Sequence, residues 1–248
     1  MRIAVAGGTG MVGRHVVDVA RERGHEVVLL TRGTGIDLIT GEGLDGAWDG
    51  VDAAIDTLNV GTVKASVAAD FFRTACGNLV RTAGAAGVGH VVSLSIVGID
   101  LNPHGYYAAK LAQEEVYTAS DVPWTILRAT QFHEFATLMF AGVKIGPLHL
   151  APRARTQPVA AREVGEHLVQ LAEQPAQGRA TDLAGPREEQ LADMTKRYAR
   201  AIGYRGPVLA VNLPNKQFAG MRAGLNLPGA DAVLGAQTFD EWLETVRR

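Results

Sequence analysis

The stretch Gly7-Gly8-Thr9-Gly10-Met11-Val12-Gly13 places three glycines at three-residue spacing between a short apolar run, residues 3–6, and a segment of helical period, residues 11–23. Such glycines allow a tight turn, let a backbone approach a pyrophosphate and permit close packing of helix on strand. Free N–H groups and the dipole at the start of the helix favour an anion there. A tight turn without a ligand is the alternative, and the strand–helix context favours the dinucleotide. The residues expected to contact the cofactor are Gly7, Thr9, Gly10, Met11, Val12 and Gly13.

Short β-branched runs alternate with alanine-rich segments of helical period up to residue 128. Strands that alternate with helices of this length call for right-handed crossovers and a parallel sheet. We therefore predict a doubly wound α/β domain over residues 1–128 that binds the dinucleotide. The predicted strands are residues 3–6, 26–31, 36–39, 53–56, 90–95 and 124–128, and the predicted helices are residues 11–23, 65–86 and 106–119.

After residue 128 the pattern loosens, and glycine–proline pairs such as Gly146-Pro147 and Gly185-Pro186 interrupt it. No low-complexity linker separates the two halves. We therefore predict that residues 129–248 form a small substrate-binding cap, packed on the first sheet as part of a single integrated unit. The predicted elements here are helices over residues 131–143, 162–172 and 188–202 and a strand over residues 181–183.

The composition is that of a globular protein, with 47% hydrophobic and 20% charged residues among 248. A formal net charge of −2 argues against a nucleic-acid-binding protein, which needs an excess of basic residues. No run reaches the roughly 18 apolar residues of a membrane span, and no signal peptide is recognisable. The single cysteine, Cys76, has no partner for an internal disulfide, and no His or Cys cluster has metal-ligand spacing. We therefore expect a cytoplasmic monomer or homodimer that acts on a small molecule and binds neither metal, nucleic acid nor membrane.

The residues after the second predicted strand discriminate between the two nicotinamide dinucleotides. A carboxylate there would hydrogen-bond the adenosine ribose and favour NAD, whereas this chain has Thr31-Arg32. A guanidinium suits the 2′-phosphate of NADP, although Arg32 is also interpretable as an ordinary exposed arginine. Asp37 follows in the next predicted strand, as either a contact to adenine or a turn residue. NADP(H) is therefore favoured over NAD(H).

Ser95, Tyr106 and Lys110 form the candidate catalytic group. Ser95 ends a predicted strand at the carboxyl edge of the sheet, where ligands bind in open α/β folds. Tyr106 and Lys110 are four residues apart on the next helix, so their side chains share one face. A nearby ammonium favours the phenolate form of tyrosine, and a serine hydroxyl can hold a substrate carbonyl. Tyr107 is a rival for Tyr106, and Ser93 points the same way as Ser95.

These residues resemble the short-chain dehydrogenase/reductase superfamily, and within it the atypical NmrA-like branch. The resemblance depends on the glycine turn, on Ser95-Ile96-Val97-Gly98 and on Tyr106-Tyr107-Ala108-Ala109-Lys110, with further similarity at 124–128 and 157–160. It implies a Rossmann fold that binds NADP(H), and an enzyme that reduces a quinone, a carbonyl or a conjugated double bond. It also implies that Tyr106 gives a proton to the substrate oxygen as hydride arrives. Lys110 would hold the nicotinamide ribose and assist Tyr106.

The resemblance adds further expected site residues. Asn59, just past a predicted strand, is expected to contact the cofactor, and Asn78 is a position that often helps to organise the site. Both are equally interpretable as structural residues. Thr130 is expected to bond the nicotinamide carboxamide. The residues expected to line the substrate pocket are Gln131, Phe132 and His133.

Two other functions remain open at this point. An epimerase or dehydratase acting on a nucleotide sugar would need basic residues for a diphosphate, and the second half offers Arg153, Arg155, Arg162 and Arg187. A non-catalytic regulator that senses NAD(P) would need an exposed surface for a partner. Residues 221–229 are the candidate for such a surface and are also interpretable as a loop over the pocket.

Overall fold

The computed structural model describes residues 1–62, 64–142 and 144–246, and these fall into two compact units. Unit 1 contains the described residues of Met1–Ser95, Gly105–Arg128 and Arg162–Ala180. Unit 2 contains those of Ile96–His104, Ala129–Ala161 and Thr181–Arg248.

Unit 1 is built on a parallel sheet in the strand order β5-β4-β3-β1-β2. The pairs β1–β2, β1–β3 and β3–β4 are parallel, as the crossover helices require. The central strand β1 is buried along almost its whole length, which is why its sequence is continuously apolar. The strands are β1 (Arg2–Ala6), β2 (Glu26–Leu30), β3 (Ala53–Asp56), β4 (His90–Ile96) and β5 (Trp124–Ala129), and the helices are α1 (Gly13–Glu22), α2 (Ala65–Ala85) and α3 (Tyr106–Thr118).

The core of unit 1 lies between the sheet and the α2–α3 pair. Phe72 and Leu79 from α2 and Tyr117 from α3 are fully buried there against strand residues such as Val91. Gly24 and Gly87 follow α1 and α2 in the left-handed conformation. Glycine therefore marks the ends of these two helices in the sequence.

Unit 2 consists of short strands and four helices. β10 (Leu183–Ala184) pairs in parallel with β13 (Val233–Leu234), and Leu183 also pairs with Ala129. A three-stranded sheet has the order β12-β7-β6, and β8 pairs with β11. The other elements of unit 2 are α4 (Phe135–Gly142), β6 (Lys144–Ile145), β7 (Leu148–Pro152), β8 (Arg155–Thr156), β11 (Glu189–Gln190), α6 (Leu191–Ala201), β12 (Val208–Val211), α7 (Lys216–Arg222) and α8 (Phe239–Val246). Two further elements, α5 (Ala161–Ala172) and β9 (Gly178–Arg179), lie almost wholly in unit 1.

The predicted fold class is confirmed, but the strand predicted over residues 36–39 is wrong. The Asp37 carboxylate accepts the N–H groups of Ile39 and Thr40, and the Asn78 amide donates to the carbonyls of Leu38 and Ile39. Side chains thus take the backbone hydrogen bonds that a strand would use, so this segment forms a turn.

Two predicted helices begin later than expected. In the segment predicted as a helix over 131–143, the N–H of His133 donates to Val159, and the N–H of Val159 donates to Gln131. Because these residues pair in extended conformation, α4 begins only at Phe135. Residue 143, the last of the predicted helix, lies outside the described residues. In the segment 188–202, the first residues pair as β11 with β8, and α6 begins at Leu191.

No helix within the described ranges is both long and apolar enough to cross a membrane.

Candidate active site

The glycine turn joins β1 to α1 in the tight form that the sequence predicts. Gly7 has a φ of +74°, and its carbonyl accepts the N–H of Gly10 at 2.9 Å. A Cβ on Gly13 would lie 2.1 Å from the Gly7 carbonyl oxygen. Only glycine therefore lets the first turn of α1 pack this closely on the end of β1.

The first turn of α1 is open to an anion. Val12 is the N-cap and provides no side-chain hydrogen bond. Within the described part of the chain, no group accepts the N–H of Met11, Val12 or Gly13. Such N–H groups at a helix start bind phosphate. Thr9, Gly10 and Met11 are exposed beside them, so the turn fits a dinucleotide pyrophosphate.

The strand order brings the other predicted cofactor residues to the same edge of the sheet. In the order β4-β3-β1-β2, the carboxyl ends lead to Ser95, Asn59, Gly7 and Arg32, respectively. Ligands of open parallel sheets bind outside these ends. The expected cofactor-binding edge is therefore assembled within unit 1.

Arg32 is an exposed cation at this edge. It opens a 3₁₀ turn, Arg32–Thr34, and its exposed side chain makes no hydrogen bond or ion pair with any other described residue. Asp37, by contrast, uses its carboxylate in the turn described above, and Asn78 supports that turn rather than the catalytic residues.

Tyr106, at the start of α3, meets Asn59 beyond the end of β3. The Tyr106 hydroxyl donates to Oδ1 of Asn59 at 2.6 Å, and the N–H of Val60 donates to the same oxygen at 2.8 Å. Burial raises the pKa of the Tyr106 phenol, and Asp56 and Tyr107 raise it further. Tyr106 is therefore a protonated phenol, and the expected shift toward the phenolate form is not seen, because burial and Asp56 act in the opposite direction. The rival Tyr107 is buried, with 3% of its surface exposed.

Lys110 is buried, and other groups of unit 1 bind its ammonium. Its ammonium donates to the Leu94 carbonyl at 2.8 Å and to the Gln113 side-chain oxygen, and it lies 4.9 Å from the centre of the Phe72 ring. The Tyr106 ring meets the edge of the same Phe72 ring, at 6.1 Å between centroids. Tyr106 and Lys110 thus share a helix face, as the spacing predicts.

Ser95 lies beside a different charged group. Its hydroxyl is buried and contributes to the environment of Glu114, the residue after Gln113. Burial opposes ionisation of Glu114, but hydrogen bonds from Arg128 and Arg179 outweigh it and lower the pKa to about 2. Arg128 binds both Glu114 oxygens at 2.9 Å, and Arg179 binds one at 2.6 Å.

The sequence analysis missed a buried carboxylate, Asp56, at the end of β3. Tyr117 donates to it at 2.6 Å, and the Gln113 amide also donates to it. Two sequence signals could have found this group. An aspartate ends an otherwise apolar strand, and Gln113 and Tyr117 lie three and seven residues after Lys110, on the same helix face.

Residues 130–133 lie in unit 2 and are held by other residues of that unit. The Thr130 hydroxyl donates to the Gln157 carbonyl at 2.6 Å, and the Gln131 side-chain oxygen accepts from Thr156 at 2.7 Å. His133 is fully buried, and its ring packs on those of Phe239 and Trp242. Phe132 is partly exposed.

The described residues contain no group of three or more His, Cys, Asp and Glu side chains arranged to hold a metal ion. That no metal takes part stays a prediction.

Comparisons with known proteins agree with this fold. The model of a family described as NAD(P)H-binding matches residues 7–175, more than half of the chain. No curated protein sequence matches. A short-chain dehydrogenase/reductase superfamily protein from Agrobacterium tumefaciens with bound NAD aligns with a TM-score of 0.70 and 19% identity, over 100% of this chain and 96% of that one.

Two further solved structures represent two kinds of enzyme. An NADPH-dependent quinone oxidoreductase from Escherichia coli has a TM-score of 0.70 and 15% identity, over 99% of this chain and 100% of that one. A nucleoside-diphosphate-sugar epimerase from Staphylococcus aureus has a TM-score of 0.70 and 14% identity, over 98% of this chain and 100% of that one. At such identities the likeness concerns the fold, and the family match adds the cofactor class. The chain therefore belongs to the NAD(P)H-binding family and has the fold of the short-chain dehydrogenase/reductase superfamily.

Proposed function

We propose that the chain is an NADPH-dependent reductase of a small carbonyl, quinone or enone, with Tyr106 as the proton donor. The observation that supports this most is the protonated Tyr106 phenol, hydrogen-bonded to Asn59 at the carboxyl edge of the sheet. The glycine turn and Arg32 belong to the same edge.

The residues of this edge fit the cofactor. The open N–H groups of Met11, Val12 and Gly13 suit the pyrophosphate, and the free guanidinium of Arg32 suits a 2′-phosphate. Bound NADPH would supply the hydride.

Tyr106 then protonates the substrate oxygen on which negative charge develops. A phenol with a raised pKa is a poor base but still far more acidic than an alcohol, so it can protonate an alkoxide. Asn59 orients the phenol, because the N–H of Val60 fixes the side-chain oxygen that accepts from it.

The arginines that would bind a nucleotide diphosphate in an epimerase are mostly neutralised. Arg155 makes two hydrogen bonds to Glu188, Arg162 pairs with Glu22 and Glu166, and Arg187 pairs with Asp240. A regulator is also less favoured. In the stretch 221–229, Met221 and Asn226 are buried, and the Asn226 amide donates to the Val97 carbonyl.

The test of the reductase is oxidation of NADPH in the presence of quinones, aldehydes, ketones and enones. Tyr106→Phe removes only the donated proton, so we expect kcat to fall by about 100-fold or more while NADPH affinity stays close to wild type. Tyr107→Phe is the matched control and retains turnover. Loss of turnover in Tyr107→Phe alone would move the donor role to Tyr107.

Cofactor preference has a separate test. Arg32→Ala should weaken NADPH binding about tenfold or more and leave NADH binding nearly unchanged, because only NADPH has the 2′-phosphate. Arg21→Ala, an exposed arginine in the last turn of α1, is the control. Equal losses for both dinucleotides in Arg32→Ala would reject the assignment.

A further inference from the structure

A buried cation and a buried anion lie on either side of one amide in unit 1. The Gln113 side-chain oxygen accepts from the Lys110 ammonium, and the Gln113 amide nitrogen donates to the Asp56 carboxylate. All three side chains are more than nine-tenths buried. We call Asp56, Gln113 and Lys110 the amide relay.

The carboxylate end of the relay is surrounded by donors. Besides Gln113, Asp56 accepts from the Tyr117 hydroxyl at 2.6 Å, from the Leu58 N–H at 2.8 Å, from Ser93 at 3.4 Å and from the Cys76 thiol at 3.5 Å. Every one of these groups donates, so the environment suits an ionised carboxylate. Asp56 therefore supplies the negative charge that a buried ammonium requires.

The ammonium end reaches the predicted site. Lys110 donates to the carbonyl of Leu94, the residue before Ser95, at 2.8 Å. A cation on this carbonyl fixes the peptide that joins Leu94 to Ser95. Its contact with the Phe72 ring, which Tyr106 also meets, fixes the ammonium on the side of α3 that holds Tyr106.

The orientation of Gln113 follows from the charges at its two ends. A flipped amide would direct its NH₂ at the ammonium and its oxygen at the carboxylate, and both contacts would be repulsive. A glutamate at 113 would place a second negative charge beside Asp56. Glutamine is the side chain of this length that satisfies both neighbours without adding charge.

We propose that Asp56 and Gln113 are positioning residues that hold the Lys110 ammonium as a fixed positive charge against the Leu94–Ser95 peptide. Their part in a reaction rests on the proposed reductase function. The relay itself does not, and it has its own test.

That test follows the lysine side chains by NMR. The chain contains five lysines, so selective ¹³Cε labelling gives few signals, and loss of one signal in Lys110→Met assigns Lys110. Asp56→Asn removes the charge but keeps the shape. The midpoint of the Lys110 titration should then fall by about one pH unit or more, a tenfold change in its acid constant. An unchanged midpoint would overturn the relay.

The matched control is Tyr117→Phe, which removes another hydrogen bond to the same carboxylate. We expect it to lower stability without moving the Lys110 midpoint comparably, because the charge of Asp56 and the Gln113 bridge remain. Gln113→Leu serves where Asp56→Asn fails to fold. It removes an acceptor from a buried ammonium, so the Lys110 midpoint should fall in this variant too. A Tyr117→Phe shift as large as that of Asp56→Asn would show general loosening and reject the proposal.

The reaction is tested separately with the same variants. If the relay positions Lys110 for catalysis, the pH profile of kcat in Asp56→Asn should shift with the Lys110 titration, and kcat should change more than KM. A kcat profile that stays at its wild-type position while the NMR midpoint moves would reject the positioning role. If wild type reduces no substrate, the reductase proposal fails while the NMR result still decides the relay.

Discussion

Two consecutive residues of α3 belong to two different buried ionic groups, and these groups bind their charges in different ways. Gln113 belongs to the amide relay, in which the cation and the anion are bridged by a neutral side chain. Glu114 binds Arg128 and Arg179 directly, with three charge-assisted hydrogen bonds. We call this second group the arginine clamp.

The difference shows two ways to bury charge at the same place in a fold. In the arginine clamp, a planar guanidinium matches the carboxylate with two parallel bonds, and the clamp ties α3 to β5 and β9. In the relay, most donors converge on Asp56, and the ammonium keeps only weaker, neutral acceptors. The clamp joins its charges directly, whereas the relay joins its ammonium to its carboxylate through a neutral side chain.

The largest expected effect comes from breaking the clamp. Glu114→Gln leaves two guanidinium groups without their carboxylate, so unfolding free energy should fall by about 3 to 5 kcal/mol. The neighbouring Glu115→Gln is the control. Its side chain is 72% exposed and 4.0 Å from Arg73, so we expect a loss below about 0.5 kcal/mol. Denaturant unfolding measures both, and equal losses would show that the clamp adds no special stability.

Acid should weaken the clamp next. The pKa of Glu114 is about 2 in the fold, against an ordinary value of 4.5, so its charge favours the folded state. This contribution to stability is fully present above the ordinary pKa of 4.5, and it is lost as pH falls toward the pKa of about 2 in the folded state. In unfolding measured across this window, wild type should lose stability more steeply than Glu114→Gln. Parallel curves would remove Glu114 as the source.

A smaller effect distinguishes the two arginines. Arg128 binds with two bonds and is 12% exposed, whereas Arg179 makes one bond and is 48% exposed. Arg128→Ala should cost about 2 kcal/mol and Arg179→Ala about 1 kcal/mol or less, since solvent screens the second pair. The reverse order would mean that Arg179 holds β9 in place beyond its ion pair.

Much of unit 1 was predictable because its signals are local. The glycine turn, the helix ends at Gly24 and Gly87 and the Tyr106–Lys110 spacing each depend on a few neighbouring residues. The segment 36–39 was mispredicted because its alternating apolar residues resemble a strand, while the Asn78 amide that converts it to a turn comes from a distant helix.

The relay was not predictable in the same way. Asp56 and Gln113 are 57 residues apart in sequence, and their contact exists only once β3 and α3 pack together. The family resemblance assigned Lys110 to the nicotinamide ribose, whereas in the fold its ammonium is bound to Leu94 and Gln113. Tertiary contacts decide which partner a long side chain reaches.

The segment 96–104, which connects Ser95 to α3, is locked to the stretch 217–226. A Cβ on Gly98 would lie 2.0 Å from the Leu225 carbonyl oxygen, and the Asn102 amide donates to both Gln217 and Asn226. For protein engineering, this makes the two segments one exchangeable module. A loop graft that imports residues 96–104 from a relative without glycine at position 98 must bring the matching 217–226 with it, because a side chain there would clash with the Leu225 carbonyl.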